Sequence, residues 1–410
     1  MTTRQPTIVL YAATHFLVDF ATIFLMVFGY SHHHDWLLLV LLYNTFAFAL
    51  QLPIGMLTDK TQRAPLFAAA GCLLIIAAYA FVSLPFAATL IAGTANALFH
   101  VGAGADTIKS SGDKGGPLGL FVAPGALGVF YATRLGHQLA ETMSWQISSD
   151  APMAKLLLPI AMIRHIPILS VSLLLLAVIA LMISALYLRR RKHPPVRQPG
   201  HPIDAAQSEP RTTAVKLPAF IDNASTFGDL PENQPLGLSP LVGVVITNCL
   251  LAVVVMRSLI GCELRFDWKS QAGWAVALVV CTMFGKLLGG YLADRIGYVK
   301  TAVISLAGAS VLFLLPQYPY AGCVSVLLFN MTMPITLRAQ ATLFREMEGF
   351  AFGLLSFGLY IGWLPMHLGW VVAREWSWLF TLGAVLSLGL LVVSLKVLAA
   401  RSIASGSVNR

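Results

Sequence analysis

The sequence predicts an all-α integral membrane protein of about twelve transmembrane helices in two related six-helix bundles. Three observations predict it: a composition too apolar for a water-soluble globule, apolar stretches of spanning length that recur along nearly the whole chain, and a six-residue turn that occurs twice.

Of the 410 residues 57% are hydrophobic and 11% charged, where a soluble domain carries about a quarter charged residues. The mean hydropathy is +0.76. At about 1.5 Å per residue, some 20 residues cross the hydrocarbon layer. Helices are expected near 7–30, 36–57, 65–82, 84–104, 117–138 and 167–188, and again near 239–261, 271–293, 298–315, 318–337, 350–371 and 376–398. His15 and Asp19 interrupt the first run, which therefore reads as a retained helix rather than a cleaved leader. Residues 139–166 are the least regular stretch, with Pro152 and Pro159 around an apolar Leu156–Ile163 run.

Residues 189–238 hold Arg189, Arg190, Arg191, Lys192 and eight prolines, the composition of a solvated linker. The expected organisation is thus a first bundle over 1–188, a linker over 189–238 and a second bundle over 239–410. If both termini and the linker share a side, that side carries nineteen lysines and arginines against six opposite. The positive-inside bias then makes it the cytoplasmic side. The net charge of +9 accordingly reflects orientation and not nucleic-acid binding. Compact loops suggest a bacterial inner (plasma) membrane and a monomer.

The five cysteines lack metal-type spacing, and His32-His33-His34-Asp35 reads as a solvated loop, so no metal or cofactor is expected. Neither a phosphate-binding loop nor a nucleophile elbow is present, which argues against an enzyme and an ATP-driven pump.

The loop after helix two reads Gly55-Met56-Leu57-Thr58-Asp59-Lys60, and that after helix eight Gly290-Tyr291-Leu292-Ala293-Asp294-Arg295; both pairs stand 235 positions apart (290−55, 294−59). Small residues allow close helix approach. An aspartate beside a base can serve a helix N-terminus and an ion pair that breaks when the halves move. Gly55, Asp59, Lys60, Gly290, Asp294 and Arg295 are the expected gating elements.

At this repeat the sequence resembles the major facilitator superfamily, whose signature G-x-L-x-D-R-x-G-R/K joins helices two and three and is echoed between eight and nine. Gly297 and Lys300 extend the second copy, while Gln62 and Arg63 depart from it in the first. The resemblance implies two six-helix bundles around a central cavity that opens alternately to each side. Gly119, Pro124 and Gly128 in helix five resemble part of the superfamily's antiporter motif G-x-x-x-G-P-x-x-G-G, with Ala123 and Leu127 in place of glycines. His15–Phe20 and Phe99–Gly104 look like the matching helices of fosmidomycin-resistance-type exporters.

Ionisable groups at membrane depth are functional candidates by default. Asp19 lies twelve residues, or about 18 Å, into its span, and His15 is one turn away on the same face. His100 in helix four reaches a comparable depth. His15, Asp19 and His100 form the expected proton-coupling cluster, since a His and Asp pair can share a proton near neutral pH. Asn96, Asn248, Arg257 and Asn330 are the expected polar lining of a substrate cavity, with Arg257 able to meet an anion or to pair with Glu263. Lys286, opposite Gln51 in the repeat, is expected to snorkel to the cytoplasmic mouth.

The expected function is proton-coupled secondary transport, with export of a small amphiphilic or anionic compound preferred. Uptake of a polar metabolite by symport, or a non-transporting sensor on the same fold, are the alternatives. The expected partners are the substrate, protons and the lipid bilayer.

Overall fold

The computed structural model describes residues 5–142, 162, 166–192, 239–264, 266–271, 273–370 and 377–407. Every regular element among them is helical. Without water to satisfy backbone N–H and C=O groups, a long apolar segment must close its hydrogen bonds within itself. Ten helices are long and apolar enough to cross a membrane, and two shorter apolar ones stand where the third and ninth spans are expected.

In chain order these are α1 (Gln5–Tyr30), α2 (Trp36–Thr61), α3 (Ala64–Ala80), α4 (Pro85–Ser111), α5 (Gly116–Glu141) and α6 (Pro167–Lys192). The second series is α7 (Pro240–Glu263), α8 (Trp274–Ile296), α9 (Tyr298–Leu312), α10 (Pro319–Leu343), α11 (Glu348–His367) and α12 (Ser377–Ser407). Prolines open α3, α4, α7 and α10, where their missing N–H is not needed. Gly297, at φ 95°, joins α8 to α9 in a conformation that excludes larger residues.

Three spans are broken inside. A π-turn at Thr45–Ala49 precedes Pro53 in α2, and the buried Gln51 amide donates to the Ala47 carbonyl at 2.6 Å. α5 is interrupted at Ala123–Pro124, between Gly116–Val122 and Gly125–Thr142. α10 is interrupted between Asn330 and Thr332. Such breaks are tolerated at membrane depth where protein covers them.

Buried apolar residues form two large cores. One draws on α1–α6 together with Val254, Leu337, Ala341, Phe352 and Leu355; the other draws on α7, α8, α9, α10 and α12. The outward faces are apolar too: Ile168, Val171, Leu174, Val178 and Leu181 form a helical stripe on α6, with Leu181 70% exposed. A face of this kind suits lipid, not water.

Several boundaries differ from the sequence expectation: α10 runs to Leu343 instead of 337 and α12 to Ser407 instead of 398. α4 continues past residue 104 to Ser111, which places Asp106 within the helix, and α6 continues to Lys192, into the segment expected to be linker. Residues 143–161, 163–165 and 193–238, which include most of the irregular stretch and of the linker, lie outside the described residues.

With no hydrophobic drive between helices in lipid, close packing needs small side chains. α3 and α4 meet in this way: a β-carbon at Gly71 would lie 2.6 Å from the Ala95 carbonyl oxygen, and one at Gly102 2.5 Å from that of Ala64. Gly102→Leu is therefore expected to destabilise the first half by about 1–3 kcal/mol, seen as a lowered unfolding midpoint of the purified protein. A midpoint equal to wild type would contradict this packing.

Candidate functional site

On α1, His15 and Asp19 are one turn apart, with Nε2 to Oδ2 at 3.2 Å. α4 brings His100 to the same point: its Nε2 lies 2.9 Å from His15 Nε2 and 3.5 Å from Asp19 Oδ1. Asn96, one turn before His100, donates to Asp19 Oδ1 at 3.2 Å. The three side chains are nearly buried, at 8%, 13% and 12% exposure for His15, Asp19 and His100. The three residues expected from sequence to form a cluster are in contact.

The outer ring nitrogens decide the chemistry. His15 Nδ1 lies 2.8 Å from the Phe121 carbonyl, and His100 Nδ1 lies 2.9 Å from the Asn96 carbonyl. A carbonyl oxygen can only accept, so both Nδ1 atoms carry the hydrogen. In the neutral tautomers both Nε2 atoms are then bare acceptors, facing each other beside a carboxylate. Three acceptors at these distances repel unless a cation sits among them. One added proton turns the contact into an imidazolium–imidazole hydrogen bond with the carboxylate as counter-ion.

The break in α5 makes room for this. Phe121, whose carbonyl takes the His15 hydrogen, closes the helical turn before the break. A β-carbon at Gly125 would fall on His15 Nε2 and 2.5 Å from Asp19 Oδ2. Pro124 forms the break. Gly128 lets α1 approach, since a β-carbon there would be 2.5 Å from the Phe16 carbonyl, and Gly119 does the same for α8 at 2.6 Å from the Lys286 carbonyl. These three helix-five residues thus have packing duties.

The repeated turns hold the halves together. Asp59 at the end of α2 accepts from the Gly349 and Phe350 amides at 2.8 and 2.7 Å, capping the start of α11. Asp294 at the end of α8 accepts from the Gly115 and Gly116 amides at 2.7 and 2.8 Å, capping the start of α5. Each carboxylate satisfies N–H groups that a helix start leaves without partners, and each does so across the two halves. Gly55 and Gly290 lie against the backbones of Gly349 and Gly115, where any side chain would collide. Tyr298 adds a bond to Asp294 at 3.1 Å, and Arg338 donates to the Gly112 carbonyl and Asp113.

Lys60 and Arg295 are not part of this contact. Both are exposed, Arg295 lies over the Tyr291 ring at 4.8 Å, and neither forms an ion pair with its neighbouring aspartate among the described residues. The backbone amides take the carboxylates instead, so the expected ion pair is absent.

The second-half candidates do not converge on the cluster. Asn248 is exposed and donates to Val244 of its own helix at 2.9 Å. Asn330 donates to Val326 at 2.8 Å and lines a separate cavity of about 270 Å³ with Phe130, Ile260, Leu278, Thr282 and Phe329. Arg257 is 8% exposed and donates to Thr336 at 3.5 Å. It forms no ion pair with Glu263 among the described residues. Asn96 joins His15, Asp19 and His100 through its bond to Asp19. Lys286 is half-buried twelve residues into α8, where its carbonyl lies against Gly119 of α5.

Four contributors were not singled out from sequence. Tyr43 bonds Thr22 at 2.9 Å, behind Asn96. Tyr11, one turn before His15, donates to Asp106 at 3.0 Å, linking α1 and α4 again nearer the turn-bearing end. The signal for that pair was its spacing, a turn before His15 and beyond His100 on the same two helices.

Removing either cap leaves helix-start amides without a partner. Asp59→Ala and Asp294→Ala are each expected to cost about 1 kcal/mol and, being far apart, to add. Thermal unfolding of the single and double variants checks this, and a double variant as stable as wild type would contradict it.

Neither a family model nor a curated protein matches the sequence. Solved structures do match the fold. One is the crystal structure of a major facilitator superfamily (MFS) transporter, FucP, in the outward conformation, with TM-score 0.56 and 14% identity over 98% of this chain and 99% of that one. Another is the E. coli fucose:proton symporter FucP, with TM-score 0.54, the same identity and the same coverage. The chain therefore has the all-helical fold of the major facilitator transporters.

Proposed function

We propose that this protein is a secondary active transporter that couples solute movement to protons through His15, Asp19 and His100. The observation that carries the reading is the 2.9 Å contact between His15 and His100 Nε2 atoms beside Asp19, with both Nδ1 hydrogens committed to carbonyls. Such a cluster takes up one positive charge and changes its net charge when it does. At membrane depth a change of that kind alters the relative stability of conformations.

The two cross-half caps supply the mechanical counterpart. With Asp59 and Asp294 seated, the turn-bearing end is closed. Opening it requires both carboxylates to leave their amides, which fits gating by Gly55, Asp59, Gly290 and Asp294, with Lys60 and Arg295 at the rim. In this reading the bundles 1–188 and 239–410 rock about a central site, and the linker 189–238 joins them. The excess of basic residues supports a bacterial inner membrane with the closed end and both termini on its cytoplasmic side.

The preferred direction is export, on the pattern of Gly119, Pro124 and Gly128. Uptake by symport is the second reading, favoured by the likeness in fold to the E. coli fucose:proton symporter. The proton cluster serves either. The protein is taken to act as a monomer, with no nucleic acid and no enzymatic activity.

Proteoliposomes with an internal pH dye, given a panel of small metabolites under a pH gradient, test the reading. A transported compound should move protons with it. Asp19→Asn and His100→Ala should reduce gradient-driven accumulation to the level of protein-free liposomes while leaving substrate binding in place. Full accumulation in both variants would sink the proposal.

A further inference from the structure

The proton cluster occupies the first half. Facing it, the second half holds two cations that nothing described neutralises. Arg257 on α7 is 8% exposed, and its one hydrogen bond among the described residues, to Thr336 on α10, is long at 3.5 Å. Neither Arg257 nor Lys286 makes an ion pair among the described residues. Glu263, the acid on the same helix as Arg257, is itself buried with Oε1 unpartnered.

The backbone places Lys286 at the middle of the molecule. It stands twelve residues into the 23-residue α8, and its carbonyl lies against Gly119 of α5. A helical side chain tilts toward its own N-terminus, so Lys286 leans away from the turn-bearing end. That direction follows α5 toward the break at Ala123–Pro124, and Gly125 beyond it touches His15 and Asp19. On either side of it in sequence, Gly285 and Gly289 pack on Leu327, Asn330 and Met331 of α10, the helix whose Thr336 takes the Arg257 hydrogen bond. Asp19 already has His15, His100 and Asn96 as partners and is not an ion-pair partner of Lys286.

A lysine and an arginine at membrane depth without a counter-ion are costly. A ligand that brings the missing negative charge removes the cost when it binds, and guanidinium and ammonium groups both hold oxyanions well. We infer that Arg257 and Lys286 together bind an oxyanion group of the transported molecule, a carboxylate, sulfonate or phosphate, next to the proton cluster. Such a molecule would bridge the halves, with its anionic end on α7 and α8 and the protonatable cluster on α1 and α4 beside it. This rests on the transporter reading and names its substrate class.

The test is binding to the purified full-length protein, followed by thermal unfolding at constant ionic strength. Benzoate, benzenesulfonate and phenyl phosphate are compared with neutral benzamide. At least one anion should raise the midpoint in a saturable way while benzamide does not. Lys286→Met and Arg257→Met should weaken that anion by about tenfold or more, and Lys286→Arg should retain it. Without ligand, the two Met variants should melt no lower than wild type, because an uncompensated buried charge has been removed; a lowered midpoint would mark a structural role instead. The inference is overturned if no anion binds, if benzamide binds as well, or if both Met variants bind like wild type. Proton-coupled transport of a neutral or cationic compound would overturn it and leave the transporter reading intact, whereas anion binding without any proton-linked flux would do the reverse.

Discussion

A helix that starts inside a protein has amide hydrogens that must find acceptors, and in this protein two of them find acceptors only on the opposite half. Asp59 serves α11 and Asp294 serves α5, each with two bonds of 2.7–2.8 Å. The rest of the arrangement depends on these caps. They require Gly55 and Gly290, because the carboxylates reach the amides only if the backbones nearly touch. They hold one end of the two bundles together with directional bonds rather than with apolar area, and directional bonds can be broken and remade without dissolving a core. Their short-range geometry also explains why the neighbouring bases are left at the surface.

α5 ties this closed end to the buried cluster. Its first turn is held by Asp294, and its break at Pro124 presents the Phe121 carbonyl to His15 and leaves Gly125 against His15 and Asp19. The cap and the cluster therefore act on one helical segment, Gly116–Val122, at its first residue and at Phe121. A change at either place is felt through packed backbone, with no need for a long relay.

Much of this could be read from the sequence, for reasons that can be stated. His15 and Asp19 stood out because polar groups one turn apart interrupt an apolar run, and His100 because its depth matched theirs. The repeated turn stood out by its constant offset. Other features were hidden. The length of α4 was underestimated because Asp106 and Lys109 look like the end of a span, although Tyr11 satisfies Asp106 inside it. Lys60 and Arg295 were read as partners of the aspartates because adjacency in sequence suggests pairing, whereas a carboxylate facing two helix amides has better acceptor geometry there. Asn248 turns back on Val244 of its own helix and stays exposed, which no spacing in sequence reveals.

The central claim is that the two aspartate caps hold the turn-bearing end shut. Distances between spin labels across that end test it most directly, with labels at the exposed positions Thr61 and Glu346 and, separately, Lys114 and Ile296. The account predicts that combining Asp59→Ala with Asp294→Ala moves both distance distributions toward a longer, open population. Distributions identical to those of the protein with both aspartates would contradict it.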